Sequence, residues 1–182
     1  MSKKSLSKLD APKNITNNEK VLNQHDFIVS KTDTKGRIIY CNEIFADMAG
    51  YPPADLIGAN HNIIRHPDMP KLAFHVLWDL IQKKDEFFGF VKNLRADGGY
   101  YWVFAYITAD LDRNGNIISY TSVRRKMPQS AIDIITPIYR QLVDAERSGG
   151  IEASKKILNG LLEEHHVGYR EFIINLQLGA TL

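Results

Sequence analysis

Three turn sequences, Asp33-Thr34-Lys35-Gly36, Ala96-Asp97-Gly98-Gly99 and Asp112-Arg113-Asn114-Gly115, each separate two runs rich in β-branched and aromatic residues. Asp and Asn side chains bond to their own backbone and Gly supplies positive φ, so each sequence marks a hairpin. The runs they join are 27–29 with 38–41, 89–94 with 100–109, and 100–109 with 117–126. Between the second and third runs the pattern turns helical. Asn42 is placed to cap a short helix bearing Ile44, Phe45 and Met48 that stops at Gly50, and a second short element runs from Tyr51-Pro52-Pro53 to Gly58. Leu72, Phe74, Leu77, Trp78 and Ile81 then fall at helical spacing and predict the longest central helix, over 70–84. Strands clustered on either side of a helical block predict an α+β fold rather than alternating α/β.

A chain of 182 residues has room for one ordinary domain plus a helical extension. A net charge of +2, with basic residues gathered on no predicted element, argues against a nucleic-acid partner. Lys3, Lys4, Lys8 and Lys13 lie in a polar stretch, and residues 1–24 read as a flexible segment. No apolar run is long enough for a membrane helix, and the lone Cys41 permits no internal disulfide; both lead to the expectation of a cytoplasmic protein. No phosphate-cradling loop, nucleophile elbow or kinase signature is present, and Glu163-Glu164-His165-His166 lacks the His-Glu-x-x-His order of a zinc peptidase, so no catalytic residue and no metal site is assigned.

The segment 61–78 carries the most chemistry. Arg65, His66 and Asp68 stand among Pro67 and Pro70 in a polar loop, followed by Phe74 and Trp78 on the central helix. The prolines stiffen the loop and keep Arg65 and His66 out of helical geometry. A rigid charged loop beside aromatic faces suits an anionic, planar ligand of nucleotide type.

Strand alternation extends the candidate pocket. If Asn93 faces inward, so do Val91 and Gly89; Tyr101, Val103 and Ala105 share one face, as do Tyr120, Ser122 and Arg124. Small residues at Gly89, Ala105 and Ser122 leave room for a ring system. The opposite alternation, Trp102, Phe104 and Tyr106, forms an aromatic row on the outer face, either a partner surface or a surface capped by the N-terminal segment or by residues 128–147. From 127 to 182 the pattern is helical, broken at Ser148-Gly149-Gly150. Leu158, Leu162, His165, Tyr169, Phe172 and Leu176 follow at alternating spacings of four and three, a coiled-coil seam that would form a hairpin with the preceding helix, a dimer bundle or a docking surface for a foreign helix, or pack back on the domain.

Over about residues 25–126 these elements resemble a PAS domain, and the run Asn62-Ile63-Ile64-Arg65-His66-Pro67-Asp68-Met69-Pro70-Lys71, with Phe74, Trp78 and Val91-Lys92-Asn93, is closely similar to the PAS domain of aerotaxis receptors. The resemblance implies a five-stranded antiparallel sheet with short helices and a longer central helix on one face. It also implies non-covalent FAD whose redox state is the signal. By the same resemblance Arg65, His66, Asp68 and Trp78 hold FAD, Asn42, Phe74 and Asn93 occupy other pocket positions, and Arg124 stands where related flavin photosensors carry a glutamine. Phe88 replaces a tryptophan common in the family. Aerotaxis receptors continue into a membrane segment and a signalling coiled coil; this sequence has neither. The expectation is therefore a soluble sensor, a homodimer, that signals by contact to a separate membrane-bound methyl-accepting chemotaxis transducer lacking its own PAS sensor.

Two other readings compete. Haem held by His61, His66 or His75 would make a gas sensor, and a ligand-free PAS module would serve interaction alone. A cysteine-adduct blue-light sensor is disfavoured, because residues 60–84 contain no cysteine.

Overall fold

The computed structural model describes residues 6–179. Five antiparallel strands, β1 (Ile28–Thr32), β2 (Ile38–Cys41), β3 (Phe87–Leu94), β4 (Tyr100–Leu111) and β5 (Ile117–Arg125), form one sheet in the order β2-β1-β5-β4-β3. Each hairpin turn has its glycine at positive φ, +77° at Gly36, +85° at Gly98 and +80° at Gly115. The Asp33 and Asp112 carboxylates accept from backbone N–H groups across their own turns.

Between β2 and β3 the chain forms α1 (Glu43–Ala49), α2 (Pro53–Leu56), a 3-10 turn His61–Ile64 and α3 (Lys71–Gln82). Asn42 caps α1 by accepting from the Phe45 N–H, and Gly50 ends it in left-handed geometry at φ +75°. One apolar core lies between these elements and the inner face of the sheet, with Phe45, Leu56, Ile63, Ile64, Tyr101 and Val103 buried together.

Two long-range arrangements differ from the sequence pattern. Residues 6–24 lie along the domain, with Leu22 buried in the core and a parallel bridge pairing Glu19 with Tyr100. The Thr16 N–H donates to the Gly98 carbonyl at 2.8 Å. These are backbone contacts, which polar composition does not reveal. Residues 1–5, with Lys3 and Lys4 of the expected flexible segment, lie outside the described residues.

The second difference is at the C-terminus. Helix α4 (Gln129–Glu164) is interrupted at Gly150, where φ is +64° and ψ −165°, and α5 (Tyr169–Gln177) follows. The seam expected over 158–176 is not one continuous helix: the chain turns at 165–168, with His166 at φ +53°, and reverses onto the sheet. Phe172 and Leu176 pack with Trp102, Phe104, Ile135 and Leu142, while the Tyr139 hydroxyl donates to the Phe90 carbonyl at 2.8 Å. Trp102 and Phe104, expected as an outer aromatic row, are 7% and 5% exposed because the chain's own helices cover them.

Candidate functional site

A cavity of about 380 Å³ opens between α3 and the inner face of β3–β4–β5. That lies within the range typical of small-molecule sites, about 300–1,000 Å³. The helix contributes Phe74, Leu77, Trp78 and Ile81 at i, i+3, i+4 and i+7, one face of a regular helix. The strands contribute Val91 and Asn93, Ala105 and Ile107, and Tyr120, Ser122 and Arg124, each set at the two-residue period of one sheet face.

Arg124 anchors the polar end. It is buried, its Nε donates to Ser122 Oγ at 2.8 Å, and its Nη2 donates to Ser30 Oγ. Its guanidinium lies 4.8 Å over the Phe45 ring. Nη1 has no hydrogen-bond partner, and no carboxylate among the described residues pairs with the side chain. Burial pushes its pKa down to about 10, with the Tyr101 hydroxyl acting in the opposite sense, so the group remains a cation at neutral pH.

His61 stands beside it, with Nε2 3.2 Å from Arg124 Nη2 and its ring stacked 5.6 Å from that of Phe45. Arginine only donates, so Nε2 accepts and the proton resides on Nδ1. Burial and the adjacent Arg124 charge push the His61 pKa down to about 3, which keeps the ring neutral.

Arg65 lies at the opposite end, 4.2 Å over the Phe74 ring. It lines both the cavity and an adjoining groove of about 320 Å³ bounded by Lys8, Lys71, Val143, Glu146 and Arg147. Trp78 is 36% exposed and packs edge-on against Tyr120 at 5.5 Å. A Cβ at Gly36 would reach the Trp78 ring at 3.9 Å, so the β1–β2 turn faces α3 there.

Of the eight residues singled out in the sequence, Arg65, Phe74, Trp78, Asn93 and Arg124 line the cavity, and His66, Asp68 and Asn42 do not. The His66 ring packs edge-on to Tyr100 at 6.0 Å in the adjoining groove, and its Nδ1 accepts from the Asp68 N–H at 3.1 Å. Burial, together with the Lys92 charge, pushes the His66 pKa down to about 4. Asp68 turns outward to Lys92, with Nζ 2.7 Å from its carboxylate. Burial opposes the Asp68 charge, yet the Lys92 hydrogen bond holds its carboxyl below the ordinary range. Asn42 is spent on structure: Oδ1 accepts from Val29 and Phe45 N–H groups and Nδ2 donates to the Phe27 carbonyl.

Gly89 leaves no room in the cavity. A Cβ there would fall 2.4 Å from the Phe87 ring and 3.3 Å from the Tyr169 hydroxyl, so those side chains occupy the space the small residue opens. Phe88 lies on the outer face, stacked with Tyr106 at 4.9 Å. Pocket residues that sequence patterning did not assign to the site are Ser30, Thr32, Lys35, Gly36, Asn60, Asn62, Ile64, Leu77, Ile81 and Ile107. Helical spacing signalled Leu77 and Ile81. Ser30 had no local signal: only the β1–β5 register, which sets it opposite Ser122, brings it to the cavity.

The lining fits a flavin. Leu77, Ile81, Val91 and Ile107 offer apolar faces to a flat ring, while Asn93, His61 and Arg124 supply donors and an acceptor for a polar edge. Haem fits less well: His66 lies outside the cavity, His75 is exposed, and the His61 Nε2 lone pair is engaged by Arg124.

A family model described as PAS fold matches residues 38–124. The aerotaxis receptor of Escherichia coli (strain K12) is 37% identical over 135 residues, 74% of this chain and 25% of that protein. The nitrogen fixation regulatory protein of Klebsiella oxytoca is 28% identical over 110 residues, 60% of this chain and 22% of that protein. The chain thus spans about a quarter of the length of these curated relatives. Among solved structures, a light-oxygen-voltage domain studied with a flavin analogue superposes with a TM-score of 0.54 at 22% identity, covering 61% of this chain and 83% of that one. That likeness speaks for the fold alone. No helix among the described residues is long and apolar enough to cross a membrane. The chain therefore carries a domain of the PAS fold, related in sequence to the aerotaxis receptor.

Proposed function

We propose that the cavity holds FAD without a covalent bond, and that the chain is a cytoplasmic redox or energy sensor for taxis. The observation that carries this reading is Arg124, a buried cation with no carboxylate partner among the described residues, in the wall of a cavity whose other surfaces are mostly apolar. An uncompensated buried charge is costly, and a ligand that gains negative charge at its edge offsets that cost. Flavin supplies reversible electron uptake; the chain supplies Arg124 to favour added negative charge, and neutral His61 and Asn93 to bond the polar edge.

The choice of the dinucleotide rests on Arg65. It stands where cavity and groove meet, so a diphosphate clamped there would lead an adenosine half into the groove beside Lys8, Lys71 and Arg147. His66 and Asp68 set the shape of that loop rather than contact the ring. Sequence kinship to the aerotaxis receptor supports energy taxis as the output. The message would pass by contact to a membrane-bound methyl-accepting chemotaxis transducer without its own PAS sensor.

The visible spectrum of the purified protein tests the reading. Twin flavin bands, bleached by dithionite, support it. A single intense Soret band, or a colourless protein that takes up no added FAD, overturns it.

A further inference from the structure

Helix α3 makes one wall of the cavity, yet its own N-cap residue, Pro70, gives it no side-chain cap. Two backbone donors of the first turn are satisfied from far along the chain. The Lys71 N–H donates to Glu146 Oε2 and the Leu72 N–H to Glu146 Oε1, each at 2.8 Å. Glu146 lies in the first half of α4. Its Oε1 also lies 3.2 Å from Ser154 Oγ, the longer arm of a bifurcated hydroxyl whose shorter arm donates to the Ile151 carbonyl at 2.8 Å, and Ser154 is fully buried in the second half. Between these two residues α4 breaks at Gly150, in a backbone geometry open in practice to glycine alone. One carboxylate thus joins the cavity wall, the helix before the break and the helix after it.

Apolar contacts also join α3 to α4, among them Leu72, Ala73 and Val76 with Ile135, Tyr139 and Leu142. Apolar contact is non-directional and tolerates sliding, whereas charge-assisted hydrogen bonds to two successive N–H groups fix position and register. The joint also lies next to the cavity's charged end: Glu146 opposes the burial that lowers the Arg65 pKa, and both residues line the same groove.

We propose that Glu146 is a latch: its carboxylate holds the first turn of α3 to both halves of α4, and through it a change in the cavity ligand reaches residues 151–177. The signalling sense rests on the flavin reading above; the latch itself does not. Opening it frees the segment beyond Gly150 to swing, which would lift Phe172 and Leu176 from the sheet while Tyr139, before the break, stays against Trp102. Binding linkage is reciprocal, so a latch that closes differently in two ligand states must in turn bias those states.

Amide hydrogen exchange on the full chain tests this, using wild type, E146A, E146Q and the exposed control E152A, each as apoprotein, with oxidised FAD and with dithionite-reduced FAD. In wild type and E152A, exchange over 151–177 is expected to differ at least tenfold between oxidised and reduced protein. E146A is expected to speed exchange there at least tenfold in every state, apoprotein included, and to erase the redox difference. E146Q, a neutral acceptor in the same place, is expected to fall between. The two-electron flavin potential of E146A should also move, by about 30 mV for a tenfold difference in latch closure; a cap that only stabilises α3 would leave it unchanged. Wild-type exchange rates in apo E146A overturn the latch. A redox difference that survives in E146A, or is missing from flavin-loaded wild type, overturns its signalling role. If wild type binds no flavin, the functional reading fails while the apoprotein comparison still decides the latch.

Discussion

The Arg124 guanidinium meets the ring of His61 at 3.2 Å, cation against neutral imidazole, at the polar end of the cavity. Each constrains the other: the charge of Arg124 helps keep His61 unprotonated, and His61 satisfies a donor of a buried arginine. The pair is costly to hold in an empty protein and suited to a ligand that brings negative charge.

Arg124→Met should therefore separate stability from binding. Removing a buried charge with an apolar group of similar length is often neutral or stabilising. The apoprotein is expected to unfold within about 1 kcal/mol of wild type, or above it. FAD affinity should fall at least tenfold, and the potential should drop because reduction loses its nearby cation. Urea denaturation and flavin titration check both halves.

Acid should weaken the fold through two histidines. In the folded chain His61 and His66 are pushed down to about 3 and about 4, mainly by burial, whereas unfolded histidine titrates near 6.5. Between about pH 6.5 and 4 the unfolded chain binds protons that the folded chain refuses, so stability is full above that window and falls as pH drops through it. Near pH 5 the slope should approach about 1.4 kcal/mol per pH unit for each buried histidine. Denaturation at pH 7, 5.5 and 4.5 measures it, and H61Q should flatten it.

Cavity residues and structural residues should part company. Arg65→Ala and Trp78→Ala are expected to lose FAD at least tenfold while remaining folded, since Arg65 stands at the cavity's charged end and Trp78 is a third exposed. Asn42→Ala should do the reverse: loss of the α1 cap costs about 1 kcal/mol, with flavin per folded molecule unchanged. Flavin-to-protein absorbance ratios beside melting curves distinguish the two classes.

Gly98→Ala should detach the N-terminal segment. Its φ of +85° disfavours a side chain, and a Cβ would lie 2.1 Å from the Asn14 carbonyl oxygen. Destabilisation of about 1–3 kcal/mol is expected, together with loss of exchange protection at the Thr16 amide, which donates to the Gly98 carbonyl.

The hairpins and the central helix were legible because local chemistry specified them: Asp-x-x-Gly turns, the Asn42 and Gly50 caps, and apolar spacing over 72–81. Strand alternation placed Asn93, Ala105, Ser122 and Arg124 on one face for the same reason. What sequence hid was non-local. Asn42 reads as a helix cap from local chemistry and as a pocket position only by the family resemblance, and its amide is engaged by Val29, Phe45 and Phe27. The spacing over 158–176 suggested one seam, but the turn at 165–168 sets α5 against the sheet while Leu158 packs beside α3 and α5. Gly89 promised space that Phe87 and Tyr169 fill. The Glu146 cap joins residues more than seventy apart and leaves no periodic trace.

The most direct test of the central claim is the mass of whatever small molecule the purified protein releases on denaturation. FAD is expected, near one per chain, with the mass of the unmodified cofactor. Release of haem, or of nothing from a protein that also fails to bind added FAD, would contradict it.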